Sequence, residues 1–430
     1  MPSIDTADSV KQPERPKLLE IMGPGLITGA SDDDPSGIAT YSQVGAEFGY
    51  GLAWTLIVTY PLMAAIQEIS ARIGRVTGLG IAGNLRKHYP APLLHGVVAL
   101  LMLANIINIG ADLGAMGAAL KLLIGGPAFL YVIAFAATSV GLEVYVRYSR
   151  YVSVLKYLTL SLLAYVATVF VVGVPWPEML RSIVMPPLSF NKDYVLAAVA
   201  VLGTTISPYL FFWQAEEEVE EEQEKPEKSP LIDAPRQAAG EFYRIRIDTY
   251  AGMALSNLVA LFIVITTAAT LHAHGVLDIQ TSAQAAEALR PIAGPFAFTL
   301  FAAGIVGTGL LALPVLAGSA AYALGETMGW QVGLAKRAGR APAFYGAIAV
   351  ATVVGAGLNF SPIDPIKALF WSAVINGIVA VPVMVVMMML TRRKDVMGEF
   401  VLPLALQIFG WLATAVMAAT VAALAITSRI

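Results

Sequence analysis

The sequence predicts an all-α polytopic membrane protein of about eleven transmembrane helices, the first and sixth of them broken. Three observations predict it. Of the 430 residues, 57% are hydrophobic and only 13% charged, with a mean hydropathy of +0.70, the profile of a chain that lives in lipid. Apolar segments near the roughly 20 residues that a spanning helix needs recur along the chain. Two of these segments, five spans apart, carry a Gly/Pro interruption near the middle, which points to a five-plus-five inverted repeat with one helix left over.

The spans are expected at 18–48 (broken at a run of aspartates), 51–73, 92–124, 127–146 and 152–174, then at 193–215 (again broken), 246–272, 293–324, 342–359, 365–390 and 402–427. Segments 18–174 and 193–392 form the two repeats, and 402–430 the appended span. The polar tail 1–17 lacks the short apolar core of a signal peptide. With the N-terminus in the cytoplasm and the C-terminus outside, 21 of the 27 Lys and Arg residues fall in cytoplasmic segments, as the positive-inside rule asks of a prokaryotic-type inner or plasma membrane. Lys121, Arg181, Lys192, Arg290, Lys367 and Arg429 are left outside. Residues 216–243 form an acidic cytoplasmic loop, whose Glu216–Glu224 run is a solvated helix end or a vestibule that concentrates cations. The outer loop 278–291 contains an amphipathic surface helix over 281–289.

A net charge of −3 gives no footing for nucleic acid. The absence of cysteine excludes disulfides and thiolate chemistry. No H-E-x-x-H, G-x-S-x-G or Walker loop is present, and the longest loop is about 25 residues, so an enzyme is not expected and no cofactor is implied. The expected partners are the bilayer and a cation.

The chemistry concentrates at the two breaks. In the first, Asp32, Asp33 and Asp34 precede Pro35, Ser36 and Gly37; in the second, Gly203, Thr204, Thr205, Ile206 and Ser207 precede Pro208. A charge at mid-membrane costs roughly 2.5–3.5 kcal/mol on insertion scales, so three carboxylates call for a function or a place outside the lipid. Backbone groups freed by proline must line a cavity or be buried in protein. Carboxylate, hydroxyl and carbonyl oxygens are hard ligands suited to Mg²⁺, Ca²⁺ or Mn²⁺. Asp34, directly at the break, is the expected anionic ligand. Thr204, Thr205 and Ser207 offer hydroxyls opposite, and the unwound carbonyls supply the rest. Asp32 and Asp33 are assigned to freed amides or to a water-filled vestibule.

Taken together these residues resemble the Nramp family of divalent-metal transporters. Gly23-Pro24-Gly25 is similar to that family's opening, Asp34-Pro35-Ser36-Gly37 to its D-P-G-N, and Gly45-Ala46-Glu47-Phe48-Gly49-Tyr50 follows as in the family. Gln67 through Gly78 is similar to Q-S-L-S-A-R-L-G-x-V-T-G, and Ala111-Asp112-Leu113 to the third-span T-D-L. Trp371-Ser372 and Arg393 through Met397 resemble the tenth span and its following loop. The resemblance implies a LeuT-type fold, alternating access and a metal ion as substrate.

The departures bear on which ion. The family's Asn two positions past the proline is Gly37 here. Its sixth-span A-x-x-M-P-H is Thr204, Ser207, Pro208 and Tyr209 at the corresponding places, so a soft sulfur ligand becomes a hydroxyl and a proton-linked histidine becomes a tyrosine. An acidic third-span residue is Ala115, and a tenth-span glutamine is Ala373, with Asn376 a turn away. The pattern resembles the Nramp-related magnesium transporters, which carry Mg²⁺ and Mn²⁺ without proton coupling; a site lined by Gly37 and Ser207 has room for a hydrated ion. The alternatives are a proton-coupled Mn²⁺/Fe²⁺ transporter of ordinary Nramp type, or a carrier of an organic cation, for which Phe211, Phe212 and Trp213 would form an aromatic wall.

Asp112 is either a structural carboxylate or a relay or gate. Asn105, Asn108 and Asp112 share one face by helical spacing, and Asn108, Asn376, Tyr209, Asp32, Asp33 and Asp112 are the candidates for a vestibule or gate. Glu68 with Arg72, Asp248 with Arg244 and Glu143 with Arg147 read as local structural pairs. His272 and His274 make at most a weak metal-attracting pair.

Overall fold

The computed structural model describes residues 24–146, 160–225, 227–361 and 363–428. The expected tail 1–17, the start of the first span, Arg147 and most of the chain before Leu160 in the fifth span lie outside them. Among the described residues the chain is helical, with no strand.

The first half contains α1 (Pro24–Asp32), α2 (Pro35–Phe48), α3 (Ala53–Thr77), α4 (Ile81–His88), α5 (Ala91–Ile124), α6 (Ala128–Tyr145), α7 (Leu163–Val171) and α8 (Trp176–Val184). The second contains α9 (Lys192–Thr205), α10 (Pro208–Glu224), α11 (Ala238–Thr270), α12 (Ser282–Glu287), α13 (Ala297–Met328), α14 (Pro342–Gly357) and α15 (Pro365–Thr391), followed by α16 (Leu404–Thr427). Among the described residues eight helices are long and apolar enough to cross a membrane, nine if α7 and α8, bent by 113°, count as one span. The three expected spans beyond those eight are the broken first one, the charge-bearing α3, and the fifth, described only from Leu160.

Local chemistry sets the helix ends. Asp34, Asn191 and Asp364 cap α2, α9 and α15 by accepting from backbone N–H groups of the first turn. Pro35, Pro208 and Pro365 open α2, α10 and α15, where a missing N–H costs nothing. Thr281 and Gln284 form a reciprocal capping box on α12. That helix is shorter than expected, and Ala285, Ala286, Ala288 and Leu289 turn inward beneath it.

Packing follows the repeat. α13 lies along α5 and α11 along α3; α10, after the second break, packs on α3, and α2, after the first break, packs on α11. Each post-break helix thus rests on the second span of the opposite half, the exchange an inverted repeat produces. Small residues allow the closest approaches. A Cβ on Gly29 would lie 2.8 Å from the Gly252 Cα, and one on Gly203 would lie 2.8 Å from the Gly377 Cα. α16 packs outside, on α15, α3 and α9, and only 28% of its apolar window is buried within the chain.

Candidate functional site

Both breaks are two residues long. The first is Asp33–Asp34, between α1 and α2, and the second Ile206–Ser207, between α9 and α10. They meet in the bundle: a Cβ built on Gly37 would stand 3.2 Å from the Thr204 hydroxyl and 3.4 Å from the Asp32 carbonyl oxygen. No side chain at position 37 separates the two unwound stretches.

Asp34 is buried at this junction. Its Oδ1 accepts from the Gly37 N–H and the Ser36 hydroxyl, both at 2.7 Å. Its Oδ2 turns away from its own helix and accepts from Asn108 Nδ2 at 3.0 Å, with the Tyr209 hydroxyl at 3.5 Å. These donors are all neutral. The N-terminal end of α2 contributes a favourable dipole at the Oδ1 side, but no basic side chain is among the partners of this carboxylate.

Asn108 is the hub beside it. Its Nδ2 also donates to Asp112 Oδ2 at 3.2 Å, and its Oδ1 accepts from Asn376 Nδ2 at 3.2 Å. A buried polar chain therefore runs from α15 through α5 to the first break. Asp112 Oδ1 and Asn376 Oδ1 are buried without a hydrogen-bond partner. Asn105, one turn earlier, faces elsewhere: it donates to the Leu316 carbonyl and the Ser319 hydroxyl of α13 and so joins two helices. The shared face expected of 105, 108 and 112 holds for the last two only.

The second break divides its hydroxyls. Ser207 donates to the carbonyls of Gly203 (2.8 Å) and Thr204 (3.0 Å), taking up the open end of α9. The Thr205 hydroxyl donates to Val201 and Leu202 of its own helix, so of the three expected hydroxyls only that of Thr204 stands across from Gly37. Asp32 and Asp33 sit apart from Asp34: the Ser256 hydroxyl of α11 donates to Asp32 at 2.6 Å and lies 3.3 Å from Asp33. Both are buried, and the donor they share is a side-chain hydroxyl rather than the freed amides or vestibule water expected. Among the described residues no group of three or more His, Cys, Asp or Glu side chains is arranged to hold a metal ion. A cation here would meet one carboxylate and neutral oxygens, the donor set of an ion that keeps part of its water shell.

A cavity of about 330 Å³ opens on one face of the bundle. Glu47, Asp193, Asp278 and Gln43 line it, and it reaches Ala39, two residues beyond Gly37. The other end of the bundle is shut by the acidic run. This run is the last part of α10; Glu216, Glu218 and Glu222 are buried, while its end at Gln223 and Glu224 is exposed. The fully buried Arg75 reaches Glu222 at 3.0 Å and Glu241 at 3.3 Å. Arg244 pairs with Glu218 and with Glu221. Glu220 takes the Tyr322 hydroxyl and the Leu334 N–H. Sequence reasoning missed this clasp, because its cations come from segments far along the chain.

The remaining expectations resolve simply. Glu68 and Arg72 pair at 2.7 Å. Asp248 accepts from the Gly25 N–H at 2.6 Å and so anchors the first turn of α1. Glu143 accepts from Ser139; Arg147 is outside the described residues. His272 and His274 bond to the carbonyls of Ala46 and Thr270. Trp213 stacks edge-on against Tyr322 at 6.3 Å, within the core.

Residues 25–427 match the family model described as natural resistance-associated macrophage protein-like, Nramp. The chain belongs to the Nramp family. Among curated relatives, the divalent metal cation transporter MntH of Aeromonas hydrophila is 27% identical over 400 residues, 90% of this chain and 91% of the relative. MntH of Yersinia enterocolitica is 29% identical over 320 residues, 70% and 72% of the two chains. Among solved structures, the manganese transporter of Eremococcus coleocola superposes with a TM-score of 0.72 at 17% identity, covering 93% of this chain and 84% of that one. Mhp1, a nucleobase-cation-symport transporter, superposes at 0.57 and 14% identity, covering 94% and 93%. The fold is therefore that of an integral membrane protein of the LeuT type, with helices one and six broken, as the two interruptions predicted.

Proposed function

We propose that this Nramp protein carries a divalent metal cation across the membrane by alternating access, with Asp34 as the anionic ligand. One observation carries the reading: a buried carboxylate at the meeting of two helix breaks has only neutral partners. An unpaired charge in that position is costly unless a cation joins it. The names of the relatives, divalent metal cation and manganese transporters, support the same class of cargo. In this reading Asp34, the Thr204 hydroxyl and unwound carbonyls hold the ion, Gly37 and Ser207 leave room for its water, and Thr205 drops out of the ligand set.

The finer proposal is that the cargo is Mg²⁺ or Mn²⁺ and that protons are not coupled to it. With Ser207 and Pro208 at the break, the site has oxygen ligands and no sulfur, a set that suits hard cations. Tyr209 stands beside Asp34 where a histidine would titrate near neutral pH. Basic-residue asymmetry supports a cytoplasmic N-terminus and an outer C-terminus, with 18–174 and 193–392 as the moving repeats. The test is uptake of Mg²⁺ and Mn²⁺ into proteoliposomes loaded with a pH-sensitive dye, wild type beside Asp34→Ala. Equal uptake by the two proteins would sink the assigned site. Metal-dependent acidification of the lumen would instead favour the proton-coupled Nramp reading.

A further inference from the structure

We infer that Asn108 is itself a ligand of the transported cation, supplying its amide oxygen from α5. The inference rests on the transport site proposed at Asp34 and adds a residue to it. Asp34 Oδ1 is occupied by its own helix, through Ser36 and Gly37. A cation must therefore approach Oδ2, the oxygen that Asn108 Nδ2 touches at 3.0 Å. The partial positive charge of an amide N–H₂ repels a cation arriving at that oxygen, and turning the amide replaces this repulsion with an oxygen ligand. Asn108 is fully buried, so its amide turns in place rather than swinging out of the site. Rotation by half a turn presents Oδ1 to the ion, a neutral hard ligand of the kind divalent cations accept from Asn.

The surroundings accommodate the rotated state. Asn108 Oδ1 now accepts from Asn376 Nδ2, while Asn376 Oδ1 is buried with no partner. If the Asn376 amide turns as well, its orphaned oxygen receives the Asn108 N–H₂, and the contact between the two side chains survives with donor and acceptor exchanged. Asp112 loses its Asn108 donor in this state, and the Oδ2 that Asn108 held is then open to accept from water kept by the ion. Asn108 is thus a donor to the empty site and an acceptor for the loaded one.

The experiment measures Mn²⁺ affinity of the purified full-length chain, by loss of the free-ion electron paramagnetic resonance signal, and locates the ion by anomalous scattering in a Mn²⁺-loaded crystal. Expected are an ion within about 2.0–2.6 Å of both an Asp34 oxygen and Asn108 Oδ1, the range of hard cations on oxygen, and a Kd at least tenfold higher for Asn108→Leu. Asn108→Asp, which keeps an oxygen but cannot donate when ionised, is expected to bind at least as tightly as wild type. Asn105→Ala, on the same helix but bonded to α13, is expected to stay within twofold. An ion on Asp34 with the Asn108 amide beyond contact, or tenfold weaker binding by Asn108→Asp, would overturn the inference. If Asp34→Ala abolishes binding and Asn108→Leu does not, this inference alone falls; if Asp34→Ala binds like wild type, the transport site falls with it.

Discussion

Asp34 does two jobs that a pair of substitutions can separate. As N-cap of α2 it accepts from the Gly37 N–H; in the proposed site it is also the anion that a cation joins. Asp34→Asn keeps an acceptor oxygen for the cap and removes the charge. Its melting midpoint in detergent is expected to stay near that of wild type, while Mn²⁺ uptake falls at least tenfold. Asp34→Ala loses cap and charge together and is expected to lose about 1 kcal/mol of stability as well. If Asp34→Asn transports normally, the charge is not needed and the ligand assignment is wrong. The sequence reached Asp34 because a carboxylate before a proline in an apolar run has few uses. It could not tell Thr205 from Thr204, because a hydroxyl near a helix end can always turn back to a carbonyl of the preceding turn, and Thr205 does so.

At the scale of helices, one close approach fixes the second half internally and one clasp joins the two halves. The first is the approach of α9 to α15 at Gly203 and Gly377. A Cβ on Gly203 would collide with backbone atoms of Ala373 and Gly377, which cannot rotate aside. Gly203→Ala is therefore expected to cost at least the 1–3 kcal/mol or so typical of overpacking, read as a lower melting midpoint and less monodisperse protein. The second is the clasp on α10. Arg75→Ala would leave Glu222 without its cation, while Glu241 keeps Lys228 and Arg244, and is expected to lower the melting midpoint. The same scale explains what was legible. The helical, broken-helix architecture and the two breaks were legible because apolar length and proline are local signals. The burial of Glu216, Glu218 and Glu222 was not, because a run of glutamates carries no local mark of the Arg75, Arg244 and Lys228 that close over it.

For the whole molecule, the cavity lies beside α2 after the first break, and the clasp holds the far end of α10 after the second. The cavity reaches Ala39 on α2, and beyond the site α10 runs on to the ion pairs with Arg75 and Arg244. Under the alternating access proposed above, this is the asymmetry expected of a carrier open to one side. In alternating access the two ends are linked, so weakening one closure must shift the population toward the other state by the free energy removed from it. The chain contains no cysteine, so single introduced thiols report cleanly. Ala39→Cys, buried but lining the cavity, is expected to react with a small polar maleimide faster than a thiol under the clasp. Ala215→Cys lies under the clasp, where α3 and α10 touch at Gly74, and is expected to react slowly. Adding Arg75→Ala to each is expected to speed labelling at position 215 several-fold and to slow it at position 39. A pore with independent gates gives a different result: position 215 accelerates while position 39 is unchanged. That outcome would replace alternating access with a channel, and because both rates come from the same folded protein, loss of stability alone cannot produce opposite changes at the two ends.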